Sequence, residues 1–224
     1  MIDWEYYQAT VIPALNTGLL VTAKLIVPSL LAGFMLGVLI GTLRTANSII
    51  IKKLFDIYTT IFRGVPLVVQ LFFIYYGLPQ LGISFDPMPA AVLGFILCSG
   101  AYHSEYIRGA LMSIRQGQLK AAKALGFSNL QMLKAIILPQ ALRYAMPGCG
   151  NEFIYLIKYS SLAYITTCND INAKATSLVK YGFEHIIGVF VVAGIYYLAL
   201  TTITSFILYA VEKRFAIPGL GKGR

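Results

Sequence analysis

Five long apolar runs divide this chain of 224 residues and limit what it can fold into. About 20 mostly apolar residues are enough for a helix to cross a lipid bilayer. We place the runs at residues 18–43, 54–78, 90–107, 147–167 and 186–211. Charged residues make up only 12% of the chain, against about 25% in an average soluble domain. The sequence therefore predicts an all-α, polytopic membrane protein with a single transmembrane domain over residues 1–224.

Basic residues fall in alternate connections between these runs. They occupy the first connection, the central loop and the C-terminal tail: Arg44, Lys52, Lys53; Arg108, Arg115, Lys120, Lys123, Lys134, Arg143; Lys213, Arg214, Lys222, Arg224. Loops rich in Lys and Arg stay on the cytoplasmic side of a membrane. We therefore expect an outside N-terminus and a cytoplasmic C-terminus. Topology explains the net charge of +9, so we expect the lipid bilayer as a partner and no nucleic acid.

The central loop, residues 112–139, is the longest polar interruption, and it predicts a docking element between two spans. Strong helix formers fill residues 118–125, and Gly126 can end that helix in a left-handed conformation. The stretch from Ser128 to Gln131 matches a capping box, which starts a second helix. Proline disfavours the helical conformation in the residue before it, so we expect this second helix to stop near Pro139.

Residues 118–139 resemble the EAA loop found in the membrane subunits of ABC importers. The family pattern is E-A-A, three residues, Gly, nine residues, I-x-L-P, and Lys120 stands where the family usually has Glu. The resemblance implies that the loop docks in a groove on an ATPase subunit. The residues assigned to this coupling contact are Lys120, Ala121, Ala122, Leu125, Gly126, Phe127, Ile136, Leu138 and Pro139.

Three further stretches are similar to the polar amino acid uptake branch of these permeases. They read FRGVPLVVQ from residue 62, AYHSEYIRGA from residue 101 and NEFIYLIKYSSL from residue 151. The resemblance implies the type I ABC importer permease fold, in the plasma (inner) membrane of a prokaryote. The implied partners are two cytoplasmic ATP-binding subunits, an external amino acid-binding protein and a second permease subunit, in a homodimer or a heterodimer.

The energy source must lie outside this chain. No G-x-x-x-x-G-K-[ST] phosphate loop occurs, so we expect no cofactor in the chain itself, with ATP and Mg bound by the partner ATPase. Five spans are also too few to enclose a path for a polar solute, which favours a dimer.

A polar stripe in the fourth run predicts a substrate path. Asn151, Tyr155, Lys158 and Ser161 recur at helical spacing, with Lys158 roughly 16 Å into the run and hence near the midplane. Polar groups at that depth face protein or a water-filled cavity. The Lys158 ammonium could hold a substrate carboxylate, which favours a neutral or acidic amino acid; the alternative is a buried ion pair.

Several other polar or small residues in the runs have two interpretations. Ser99 could reach a polar ligand, and we include it in the substrate path, or it could bond to its own helix. Arg63 could act in gating or serve as an anchor at the membrane boundary, whereas Glu105 is expected to pair with Arg108. Glycines four residues apart, at Gly33, Gly37 and Gly41, either allow close helix packing or reflect the frequency of glycine in membrane helices.

Other functions are less consistent with the sequence. An intramembrane protease needs a nucleophile and a base, and Ser99 with His103 is the only suggestive pair. A stand-alone channel or secondary transporter would leave the docking loop without a role, and internal repeats are absent. We therefore assign no catalytic and no metal-binding residue. Transport of another small polar solute remains the alternative within the permease class.

Overall fold

Eight helices and short irregular turns make up the part of the chain that the computed structural model describes, residues 4–46, 48–180 and 185–215, which contains no β-strand. The helices are α1 (Trp4–Leu43), α2 (Ile49–Gly64), α3 (Leu67–Leu81), α4 (Pro87–Met112), α5 (Gln116–Ala124), α6 (129–159), α7 (Ile171–Val179) and α8 (Ile186–Phe215). Helix α1 contains a π turn at Tyr7–Val11, and a 3-10 turn, Ser160–Thr166, follows α6.

Two of these helices, α1 and α8, are long and apolar enough to cross a membrane by themselves. Helices α2 and α3 pass the same test only as a bent pair. Helices α4 and α6 have the length, since 26 residues already extend about 39 Å, but their polar side chains lower their hydropathy. The placement of five spans therefore stays a prediction.

The second predicted span, residues 54–78, is not one straight helix. Helix α2 begins earlier, at Ile49, and ends at Gly64, and α3 leaves at an angle of 103°. Val65 has the extended conformation expected before a proline. The side-chain amide of Gln70 donates to the carbonyls of Phe62 and Val65, at 3.0 and 2.8 Å, and so satisfies backbone groups that the break leaves free.

The predicted stop before Pro139 is wrong. A π turn, Leu133–Ile137, precedes the proline, and the Leu138 amide donates to the carbonyl of Leu133. This wider turn lets the backbone stay helical around the proline ring, so Leu138 itself is helical, with φ −62° and ψ −44°. Helix α6 therefore continues from residue 129 to residue 159.

Helices α1 and α4 form the tightest helix pair, through the three glycines of α1. A Cβ atom on Gly37 would collide with the side chain of His103, and one on Gly41 would lie 2.8 Å from the Ser104 carbonyl oxygen. Gly33 faces Ser99 in the same way. The structure thus confirms that the spaced glycines allow close packing.

Helix α7 is attached to two other helices by its first residues. The Asp170 carboxylate caps α7 by accepting from the Ala173 and Asn172 amides, at 2.9 and 3.3 Å, and it also accepts from the Tyr197 hydroxyl of α8, at 3.1 Å. The Ile171 amide donates to Thr22 Oγ1 of α1, at 3.3 Å. These bonds fix α7 between α1 and α8.

We predict that Gly37→Ala destabilises the protein by about 1–3 kcal/mol, the usual cost of overpacking, because the added methyl group has no space against His103. Gly194→Ala in α8 is the matched control, since a Cβ atom there meets nothing within 4 Å. Thermal unfolding in detergent measures both variants. Equal stability of the two variants would contradict the prediction, because it would show that α1 and α4 can move apart to accept the methyl group at no cost in free energy of unfolding.

A second prediction concerns Asp170, the N-cap residue of α7. Burial raises the pKa of its carboxyl from 3.8 to about 6, so the folded state binds the proton more tightly than the unfolded state. The stability that Asp170 contributes is therefore full below about pH 4 and is lost as the pH rises to about 6. Asp170→Asn, which keeps a good N-cap residue, should remove this dependence. An identical pH profile of unfolding in both proteins would refute the assignment.

Candidate functional site

The predicted polar stripe lies on one uncovered face of α6. Asn151, Tyr155 and Lys158 are exposed, and the Lys158 ammonium lies 5.2 Å from the centre of the Tyr155 ring. Ser161 is half-buried, and its hydroxyl donates to the Lys158 carbonyl, at 2.7 Å. No carboxylate of the described residues forms an ion pair with Lys158. The face can therefore meet a solute or a second subunit.

Lys158 lies near the C-terminal end of α6. The helix ends at Tyr159, where the 3-10 turn begins, so Lys158 is its last residue but one. Its depth near the membrane midplane stays a prediction. Glu152 is buried, at 2% exposure, whereas Lys158 is exposed. Lys158 is exposed and forms no ion pair with a carboxylate of the described residues, so the alternative of a buried ion pair is not found within this part of the chain.

Ser99 lies apart from the stripe, buried between α4 and α1. Its hydroxyl has no hydrogen-bond partner within the described ranges, and His103 Nδ1 contacts the Ser99 carbonyl oxygen instead, at 2.8 Å. The nucleophile-to-base hydrogen bond of a protease is thus missing from this pair.

A cluster of charges joins α1, α2 and α4. Glu105 pairs with Arg108 at 2.9 Å, as predicted, and also with Arg44 at 2.8 Å and Arg63 at 3.3 Å. Arg44 makes a second ion pair with Asp56, at 2.7 Å. Three guanidinium groups thus converge on one carboxylate, and the side chain of Arg44 is almost fully buried, at 7% exposure.

A cavity of about 530 Å³ lies at the break between α2 and α3. The break residues from Phe62 to Val68 form one side, and Cys98, Tyr102, Tyr159 and Leu162 close the other. Sequence reasoning identified the break but missed the residues opposite it, because they come from distant helices. The one signal in the sequence is that the third apolar run becomes polar around Tyr102, which is typical of a helix that faces a polar space.

The coupling residues lie in α5, in the exposed turn that follows it and in the first part of α6. Gly126 has a φ of +82°, and Ser128 and Gln131 form the predicted capping box, with bonds of 2.8 and 3.3 Å. Ala122 is buried, whereas the Leu125 side chain is 78% exposed. The other coupling residues are exposed (Lys120, Ala121, Phe127, Pro139) or half-buried (Ile136, Leu138).

Comparison with known proteins identifies the family of this chain. Residues 30–217 match the model of the family described as the binding-protein-dependent transport system inner membrane component. The chain is 34% identical to the glutamine transport system permease protein GlnP of Escherichia coli strain K12, covering 96% of this chain and 98% of that protein. It is 32% identical to the L-cystine transport system permease protein TcyB of Bacillus subtilis strain 168, covering 95% and 91%.

Solved structures agree with these matches. A crystal structure of an amino acid ABC transporter with histidines superposes with a TM-score of 0.85 at 28% identity, covering 96% of this chain and 99% of that chain. The MetNI methionine ABC transporter shares the fold, with a TM-score of 0.78 at 19% identity, covering 92% and 98%. The chain is a member of the family of binding-protein-dependent transport system inner membrane components and has the type I ABC importer permease fold.

Proposed function

We propose that this chain is the membrane subunit of an ATP-driven importer of polar amino acids. One observation carries the proposal: an exposed docking turn and an uncovered polar face lie at the two ends of a single helix, α6, in a chain of this family. The relatives named for glutamine and cystine transport support amino acids as the solute class. The alternative hypothesis is a permease for another small polar solute.

Energy enters through the turn between α5 and α6. The chain has no phosphate loop, so a cytoplasmic ATPase subunit binds ATP and Mg. Leu125 and Phe127 supply the exposed apolar contacts, and Lys120 adds a positive charge beside them. No acidic residue occurs between Glu105 and Glu152, so the surface that receives the loop is expected to be apolar with acidic groups.

The solute passes along the polar face of α6. Because α6 is continuous through Pro139 and Pro147, one helix connects the docking turn to Lys158, and a movement of the turn can reach Lys158 along it. A second permease subunit covers this face and completes the path, and an external binding protein delivers the amino acid. This assembly has the N-terminus outside, the C-terminus in the cytoplasm and its place in the inner membrane of a prokaryote.

The docking turn provides the first test of function. We predict that Leu125→Asp weakens association with the ATPase subunit at least 30-fold, since it places a charge in an apolar contact. Gln118→Asp adds the same charge to an exposed position of α5 and should have little effect. Co-purification and ATP hydrolysis measure both. Unchanged association of Leu125→Asp would disprove docking through this turn.

The polar face provides a second test. Lys158→Gln should raise the KM for amino acid uptake about 10-fold, because an ion pair with the solute carboxylate is lost. Lys24→Gln removes a lysine from another helix of the membrane domain and serves as the control. Labelled amino acid uptake into proteoliposomes with the partner subunits measures the KM. An unchanged KM in Lys158→Gln would make that residue structural.

A further inference from the structure

One side of α2 is apolar and uncovered. Four exposed apolar residues recur at intervals of four, three and four positions, so they form one stripe along the helix: Ile50, Leu54, Ile57 and Ile61. Their exposed fractions range from 49% to 76%. A continuous apolar surface of this kind marks contact with a membrane or with another protein.

The other sides of α2 are attached to the protein, so the stripe cannot turn inward. The Tyr58 hydroxyl donates to the Leu97 carbonyl of α4, at 2.7 Å, and Thr59 is buried. Asp56 pairs with Arg44, which follows α1, at 2.7 Å. These contacts hold α2 in one orientation about its axis, with the stripe outward.

Two lysines in the first turn of α2 carry charges that no carboxylate balances. Lys52 and Lys53 are exposed, and neither forms an ion pair within the described ranges. Asp56, the only acidic residue of α2, lies three and four positions further on, where a lysine could reach it. Its carboxylate pairs with Arg44 instead. Two free cations therefore lie beside the apolar stripe.

A groove of about 360 Å³ connects one of these lysines to the stripe. Lys53 lines it nearest the start of α2, and Ile57 and Ile61 line it further along. Asp56 and Thr60 complete the described part of the lining, and Arg44 balances the Asp56 charge. The helix advances about 12 Å from Lys53 to Ile61, which fits within the hydrocarbon depth of one leaflet, about 15 Å.

We propose that this groove binds an anionic phospholipid of the cytoplasmic leaflet, with its phosphate on Lys52 and Lys53 and an acyl chain along Ile57 and Ile61. A phospholipid carries its negative charge next to its apolar chains, which is the order of lysines and isoleucines along α2. A free phosphate ion would leave both isoleucines uncovered. The inference goes beyond the import function and needs only a cytoplasmic first connection.

The bound lipid supports the bent segment from outside. Helix α4 contacts α2 on one side, and the chain turns by 103° where α2 ends at Gly64. A phospholipid in the groove covers the side that faces away from the protein. A ligand that binds only this arrangement stabilises it, so the stability of the protein depends on the headgroups of the surrounding lipid.

The test measures lipid binding to the purified chain in dodecyl maltoside, by native mass spectrometry and by the rise in unfolding temperature. Dioleoyl phosphatidylglycerol, which is anionic, is compared with dioleoyl phosphatidylcholine, which has the same chains and no net charge. We expect phosphatidylglycerol to bind about 10- to 30-fold more tightly, since each lysine near an anionic lipid contributes about fivefold. Inorganic phosphate at the same concentration should neither bind nor raise the unfolding temperature.

The lysines account for this preference, so the double variant Lys52→Gln, Lys53→Gln should bind the two lipids equally. The double variant Lys123→Gln, Lys134→Gln is the matched control. It removes the same charge from two exposed positions of the central loop, on the same predicted side of the membrane, and should keep the preference. Unfolding temperatures without lipid verify that both double variants fold.

The apolar part of the groove gives a different result. Ile57→Ser should weaken the binding of both lipids and leave their ratio unchanged, because it removes apolar contact and no charge. Disulfide-linked dimers of Ile57→Cys would show that a second copy of the chain covers the groove, and would overturn the inference.

Four further results would overturn it: equal affinity of the wild type for the two lipids, binding of inorganic phosphate alone, an unchanged preference in the double variant of α2, or an equal loss in the control. None of these results bears on import, which the uptake assays test separately.

Discussion

The close contact between the backbones of α1 and α4 supports the rest of this structure. Gly33, Gly37 and Gly41 remove every side chain from one face of α1, so that Ser99, His103 and Ser104 pack directly against it. This contact fixes α4, and α4 in turn carries Glu105, on which three arginines converge. The bent pair of α2 and α3 is attached to that fixed helix through Arg63 and through the Tyr58 hydroxyl, which donates to the Leu97 carbonyl at 2.7 Å. The closely packed α1–α4 pair thus holds the bent α2–α3 segment in place.

The second feature on which the structure depends is the continuity of α6. The π turn before Pro139 keeps the helix intact between the docking turn and Lys158. A helix transmits displacement along its axis because its hydrogen bonds run in that direction. The protein therefore combines a closely packed helix pair, α1 with α4, and a long continuous helix, α6. The cavity lies where α4 and the end of α6 meet the break between α2 and α3.

Local features of the fold could be predicted from the sequence, because short-range chemistry determines them. The capping box at Ser128, the left-handed Gly126 and the Glu105–Arg108 pair were predicted correctly. The spaced glycines were left with two interpretations, and the structure supports close helix packing. The course of the chain at Pro139 was not, because a π turn changes the effect of a proline that otherwise ends helices. The convergence of Arg44 and Arg63 on Glu105 and the cavity at the break depend on contacts between distant helices, which residue spacing along one helix does not contain.

The most direct test of import is accumulation of labelled amino acids in proteoliposomes. The vesicles contain the permease with its ATPase subunits and enclose ATP, and the external binding protein is added outside. We predict an internal concentration above the external one, and no accumulation when ATP, the ATPase or the binding protein is omitted. Equilibration to equal concentrations without ATP would identify a channel or a carrier and would contradict an ATP-driven importer.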